Sequence, residues 1–183
     1  MPYLVSAFGA GWRHHLWLAL LVAASLGFTF GFACAVPFAA FGAVAALSLS
    51  RRDALLLTLA LWLVNQIVGF GVMHYTWDTM TVAWGGILGA IAVFSTLAAQ
   101  AAIVRNATIA AAGCFAAAFG VYEGGLYLIS TFVMGGAEDF ITSIVVRIFE
   151  INGTAFLGLL ATAFLIAAAS APRRAPLPLV VHR

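Results

Sequence analysis

Lysine does not occur in this chain: all eight basic residues are Arg, set against only six Asp and Glu. Charged residues make up 8% of the sequence, where ordinary soluble domains carry roughly a quarter. With 64% hydrophobic residues and a mean hydropathy of +1.11, no water-soluble fold of 183 residues could hide the apolar surface. Lipid must be the solvent for most of the chain. The missing lysine excludes a Schiff-base chromophore. The small net charge of +2, with no basic run and no basic patch interleaved with aromatics, excludes a nucleic-acid partner. The two cysteines, Cys34 and Cys114, lie in apolar sequence and offer no disulfide framework.

Catalytic signatures are missing as well. There is no Walker A pattern, no His-Glu-x-x-His, no Gly-x-Ser-x-Gly and no Cys-x-x-Cys. No two histidines stand at metal spacing within a span. His14 and His15 are adjacent, so on a helix they point about 100° apart. The chain is therefore expected to be no enzyme and to hold no intrinsic cofactor. Any active transport must draw on another subunit or on a gradient.

Apolar runs are present at 16–36, 37–50, 54–73, 81–104, 107–134 and 145–170. The first two are continuous, because the 35 residues from Leu16 to Ser50 hold no charge. One span needs only about 20. A break is expected in GFTFGFACAVP, at Gly27, Gly31 and Pro37, leaving a rather short second helix. The run after Arg13, His14 and His15 never ends in a cleavage region, so the first span is expected to stay in the membrane.

Six spans with both termini inside put Arg13, Arg51, Arg52, Arg105, Arg173, Arg174 and Arg183 on the cytoplasmic side and leave only Arg147 elsewhere, as the positive-inside rule requires. The expected fold is an all-α integral membrane protein with six transmembrane helices, N-in and C-in. Its parts are a cytoplasmic segment 1–15, a six-helix domain 16–170, and a Pro/Arg-rich cytoplasmic tail 171–183.

The few polar groups converge on one level. Asn65 and Gln66 fall about 18 Å up span three, and Glu123 falls in the outer half of span five. Arg147, Glu150 and Asn152 start span six, and His74, Tyr75, Trp77 and Asp78 form the outer loop between spans three and four. Inner halves are mostly Ala, Leu, Val and Ile, so the pattern reads as an outward pocket rather than a pore. Each residue also has a plainer use. Trp77 and Trp84 can anchor at the interface, Asn65 and Gln66 can cross-link helices, and Arg147 and Glu150 can pair at the headgroups. His74 is either a solvated loop side chain or a ligand group. Glu123, beside Tyr122 and followed by Gly124 and Gly125, is the strongest candidate for a pocket or ion-pair role, with Arg147 as its partner.

Six spans in so short a chain, an early broken helix pair and an outer pocket resemble the substrate-binding S component of energy-coupling factor (ECF) vitamin transporters. LALLVAA, with Ala19 and Ala23, matches the Ala-x-x-x-Ala face by which such proteins dock on their coupling subunit. PFAAFGAVAAL, followed by RRDALLLTLALWLVNQIVGF and an outer loop before WGG, resembles the BtuM-type cobalamin transporters of proteobacteria. That resemblance implies a multi-pass protein of the bacterial inner membrane. It would carry cobalamin, either solitary or with an ECF coupling subunit and ATPases. A characterised branch uses a loop cysteine on the corrinoid cobalt. Here the loop offers His74, with Cys34 of the first outer turn as the alternative. Tyr75, Trp77, Trp84, Tyr122 and Tyr127 would supply flat walls, and Asn65, Gln66 and Asn152 would meet the ring's amides.

Three readings remain open. One is vitamin uptake, of cobalamin or of a smaller vitamin. Another is an accessory subunit whose polar outer face binds a protein. The last is a small metal or proton-coupled carrier using Glu123, Arg147 and Glu150.

Overall fold

The structure, a computed structural model, describes residue 8 and residues 11–32, 36–136 and 140–169. Cys34, most of the 1–15 segment and the 171–183 tail lie outside the described residues. In chain order the helices are α1 (Trp12–Phe32), α2 (Phe38–Ser48), α3 (Arg51–Gly71), α4 (Thr79–Ala101), α5 (Ala107–Ile129) and α6 (Thr142–Ala169). A wider π turn, Ser130–Met134, extends α5. No strand occurs among the described residues.

Five of these helices are long and apolar enough to cross a membrane. The sixth, α2, has 11 residues and reaches only about 16 Å, roughly half a hydrocarbon core. The six apolar runs thus appear as five long helices and one short one, with α1 starting earlier than expected and taking in Arg13, His14 and His15. Every residue of α2 is buried, because it packs against α3, α4, α5 and α6. Its composition of Ala, Phe, Val, Leu and Gly suits that place: it is hydrophobic all round, as an enclosed helix must be.

Hydrogen bonds set the directions. Trp17 Nε1 near the start of α1 donates to Ser48 Oγ at the end of α2, 3.0 Å away. Asn65 Nδ2, late in α3, donates to Thr29 Oγ1, late in α1, at 3.3 Å. So α1 and α3 run parallel and α2 runs antiparallel to both. Gln100 Nε2 at the end of α4 donates to Arg51 O. Arg13, Arg51, Arg52 and Arg105 therefore share one end of the bundle, here the basic end. His74 and Asp78 occupy the other.

Local sequence explains the helix starts. Ser50, Asp78 and Asn106 each accept the backbone N–H three residues on, at Asp53, Thr81 and Ile109, which is the usual N-cap bond. Pro37 precedes α2 and makes no side-chain cap bond. The missing acceptor arrives from α6: Asn152 Oδ1 takes the Ala40 N–H at 3.2 Å. The short helix is thus capped by a residue 112 positions away in sequence, in a place where water could not satisfy it.

Candidate functional site

Some of the residues singled out from sequence gather in two places, and the rest lie apart from both. Asn65, Gln66, Tyr75 and Trp84 line one cavity of about 230 Å³ between α3 and α4, together with Phe70, Thr81, Gly85 and Leu88. The helices approach closely there because α4 has glycine at 85 and 89. A Cβ at Gly85 would stand 2.5 Å from Gln66 Oε1, and one at Gly89 would stand 2.7 Å from the Trp62 ring. Trp62 Nε1 donates to Gly85 O at 2.8 Å, locking that contact. Behind the cavity a polar chain runs into the bundle. Gln66 Nε2 donates to Asn65 Oδ1 at 3.4 Å, Asn65 donates to Thr29, and Thr29 Oγ1 donates to Ser25 O at 2.9 Å. Asn65 and Gln66 are therefore both helix cross-links and cavity walls.

Trp77 lies outside this cavity, 77% exposed. Its ring rests on Phe70, with centroids 4.4 Å apart. Asp78 caps α4 and also accepts from the Thr76 and Thr81 hydroxyls. Those bonds, the Thr76 hydroxyl first, hold its carboxyl down at about 2 from an ordinary 3.8. Asp78 thus has a structural job, and with Trp77, Thr79, Val82 and Ala83 it also lines a separate, open surface cavity. His74 is exposed and does not line the cavity. It is the only non-glycine described residue at positive φ, 57°. Around it α3 closes through Met73 N–H to Val68 O and Tyr75 N–H to Gly69 O. An imidazole held where glycine would be easiest is an outlier that asks for a reason.

The second group surrounds the start of α2. Tyr122 is buried with its ring 6.4 Å from Phe38. Asn152, 2% exposed, spends both ends of its amide on backbone, Ala40 N–H and Ile148 O. It is a structural cap, not a free amide for a ligand. Glu123 is buried, and neither carboxyl oxygen has a hydrogen-bond partner.

The Glu123–Arg147 pairing expected from sequence is not formed; no ion pair joins them, and Arg147 is exposed. Helix register accounts for this. The Phe119–Phe149 contact sets the level of α6 against α5, and Arg147, two positions from Phe149, is turned about 200° from it, to the opposite face of α6. A long arginine there keeps its head away from the bundle interior. Glu150 is also exposed. Tyr127 is 47% exposed and packs edge-on against Phe140, centroids 5.4 Å apart, away from both groups. Ala19 and Ala23 are exposed, opposite the buried Trp17, Leu21, Ser25 and Thr29 of α1.

Sequence reasoning passed over Trp62, Phe70, Thr81, Gly85 and Leu88. The Gly85–Gly89 spacing of four was the available signal, since small residues so placed let membrane helices meet. Inner halves read as mostly Ala, Leu, Val and Ile also hold a buried Thr58–Thr96 hydroxyl bond of 2.8 Å. Among the described residues no group of three His, Cys, Asp or Glu could hold a metal ion. Comparison with known proteins adds no relatives: no family model, no curated protein and no solved structure matches the chain.

Proposed function

We propose that the chain is a vitamin-uptake protein of the cytoplasmic membrane, N-in and C-in, loading its ligand at the His74 end; cobalamin is the ligand to which the resemblance points. The observation that carries this reading is the α3–α4 cavity, where two amides, a tyrosine and a tryptophan converge. Aromatic faces with a few placed amides are the equipment for a flat, heteroatom-rich ring. Gathering Arg13, Arg51, Arg52 and Arg105 at the opposite end supports the orientation. The exposed Ala19 and Ala23 leave a close-approach face for an ECF coupling subunit; solitary action is the alternative.

The volume bears on the ligand. At about 230 Å³ the cavity is smaller than the roughly 300–1,000 Å³ of ordinary ligand pockets. A compact ring vitamin enters it with little change. A corrinoid requires the 72–78 connection to move aside, and His74 in that connection then provides an imidazole for cobalt.

Titration of the detergent-purified protein decides between them. Aquocobalamin is followed by its visible spectrum; riboflavin, thiamin and biotin are followed by quenching of tryptophan fluorescence, Trp62 and Trp84 being beside the cavity. One ligand should bind saturably and lose at least about tenfold in affinity, about 1.4 kcal/mol, in Trp84→Ala. A cobalt spectral shift lost in His74→Ala assigns that contact. No binding of any of the four sinks the uptake reading and leaves the protein-binding subunit.

A further inference from the structure

Glu123 is the only acidic or basic side chain buried among the described residues; Ser25 Oγ and Gln100 Oε1 are also buried without a partner, but neither ionises. Glu123 is 9% exposed, and both its oxygens are buried without a partner. Its helix packs against α2, α4 and α6 and continues into the π turn. Neither α2 nor α4 nor the π turn carries any charged residue. The charged groups of α6, Arg147 and Glu150, are both exposed. On α5 itself the titratable neighbours are Tyr122, Tyr127 and the more distant Cys114. Among the described residues an ionised carboxylate in such a place has neither donor nor counter-charge, a situation lipid-embedded proteins avoid.

The surroundings are also directional. One turn toward the basic end stands Phe119, edge-on to Phe149 at 5.2 Å, and Phe115 stacks on Phe156 at 4.9 Å. These rings make that side apolar. Toward the His74 end, Ser130 is buried seven residues on and shares the Glu123 face. There the helix widens into its π turn, a distortion common at functional sites.

We propose that Glu123 is a proton-binding site, loaded in this conformation, which exchanges its proton with the compartment at the His74 end. The proton adds to one carboxylate oxygen and leaves from it, with no other bond changed. The site would let a proton gradient bias the conformations of the bundle. It rests on the membrane reading and not on the identity of any vitamin.

The test uses the full chain in right-side-out membrane vesicles and the hydrophobic reagent dicyclohexylcarbodiimide, which modifies protonated carboxyls in apolar surroundings. The adduct is located by mass spectrometry. Modification is expected at Glu123, absent in Glu123→Gln, and slowing about tenfold per unit of external pH once the acid is half ionised. With the internal pH clamped, the rate should follow the external pH alone. Three results overturn the proposal. A water-soluble carbodiimide that modifies Glu123 as fast as Glu150 places it in water. Labelling only after denaturation makes it a sealed carboxyl that exchanges nothing. Protection by sodium, but not potassium, makes the ligand a metal cation. Should Glu123→Gln fail to fold, the wild-type pH and sodium series decide alone.

Discussion

The α3–α4 wall and the α5–α6 quarter face the same problem, polar groups in lipid, and answer it differently. In the wall the groups around the cavity find neighbours: Trp62 bonds Gly85 O, Gln66 bonds Asn65, and Asn65 bonds Thr29. Glycines at 85 and 89 permit the approach. The α5–α6 contact is instead aromatic, built from Phe115, Phe119, Phe149 and Phe156, and it leaves the Glu123 carboxyl unmatched. Where polar groups are matched they hold helices and shape a cavity. The unmatched carboxyl retains its chemistry.

The largest break in that comparison should come from Gly89→Leu. A side chain there meets the Trp62 ring, itself fixed by its bond to Gly85 O. Overpacking of this kind costs about 3 kcal/mol, to be read as a lowered melting point in detergent, with loss of the cavity. Gly85→Ala is a sharper probe of the same seam. Its Cβ meets only the end of the Gln66 side chain, so folding should survive while ligand affinity falls. An unchanged affinity would detach Gln66 from the site.

Asn152→Leu comes next. It orphans the buried Ala40 N–H, for which about 1–3 kcal/mol is expected. The loss should appear in unfolding without a matching loss of ligand affinity in the wall. A selective loss of binding would return Asn152 to the ligand site.

His74→Gly should move stability the other way, by up to about 1 kcal/mol, since glycine takes positive φ freely. A gain in melting point with a loss of binding would show that the strain at His74 is kept for function. A gain with no loss would make it an idle loop residue.

The smallest effect concerns Asp78. Its carboxyl is depressed to about 2 in the fold from 3.8, so its contribution is present above pH 4 and lost as pH falls toward 2. Asp78→Ala should flatten that acid limb of the melting profile and lower stability slightly at neutral pH through the missing cap. An acid limb unaltered by Asp78→Ala would show the cap bonds to be absent in solution.

Much of the layout was legible from local pattern. Apolar runs placed the helices to within a few residues, because a lipid solvent demands about 20 apolar residues per span and tolerates few interruptions; of the expected break, Gly27 and Gly31 instead stay helical within α1, and only Pro37 stands at the start of α2. Ser50, Asp78 and Asn106 could be read as starts because a cap bond spans only three residues. The site was less legible. Asn65, Gln66, Tyr75 and Trp84 did converge, for they are close in sequence across one connection. Trp77, Asp78, Tyr127 and Asn152 went to other uses. A shared depth in the membrane does not say which way a side chain faces or which backbone group lacks a partner.

Sequence alone determined that this chain lives in lipid, that its basic residues gather apart from its histidine loop, and that one early helix is short. These follow from composition and from distances along the chain. Only the tertiary structure decided that α2 is enclosed by its neighbours, that Asn152 reaches across to cap it, and that Glu123 meets no cation. Those outcomes depend on which faces of distant helices meet, and the bilayer, equally apolar on all sides, imposes no preference that the sequence could reveal.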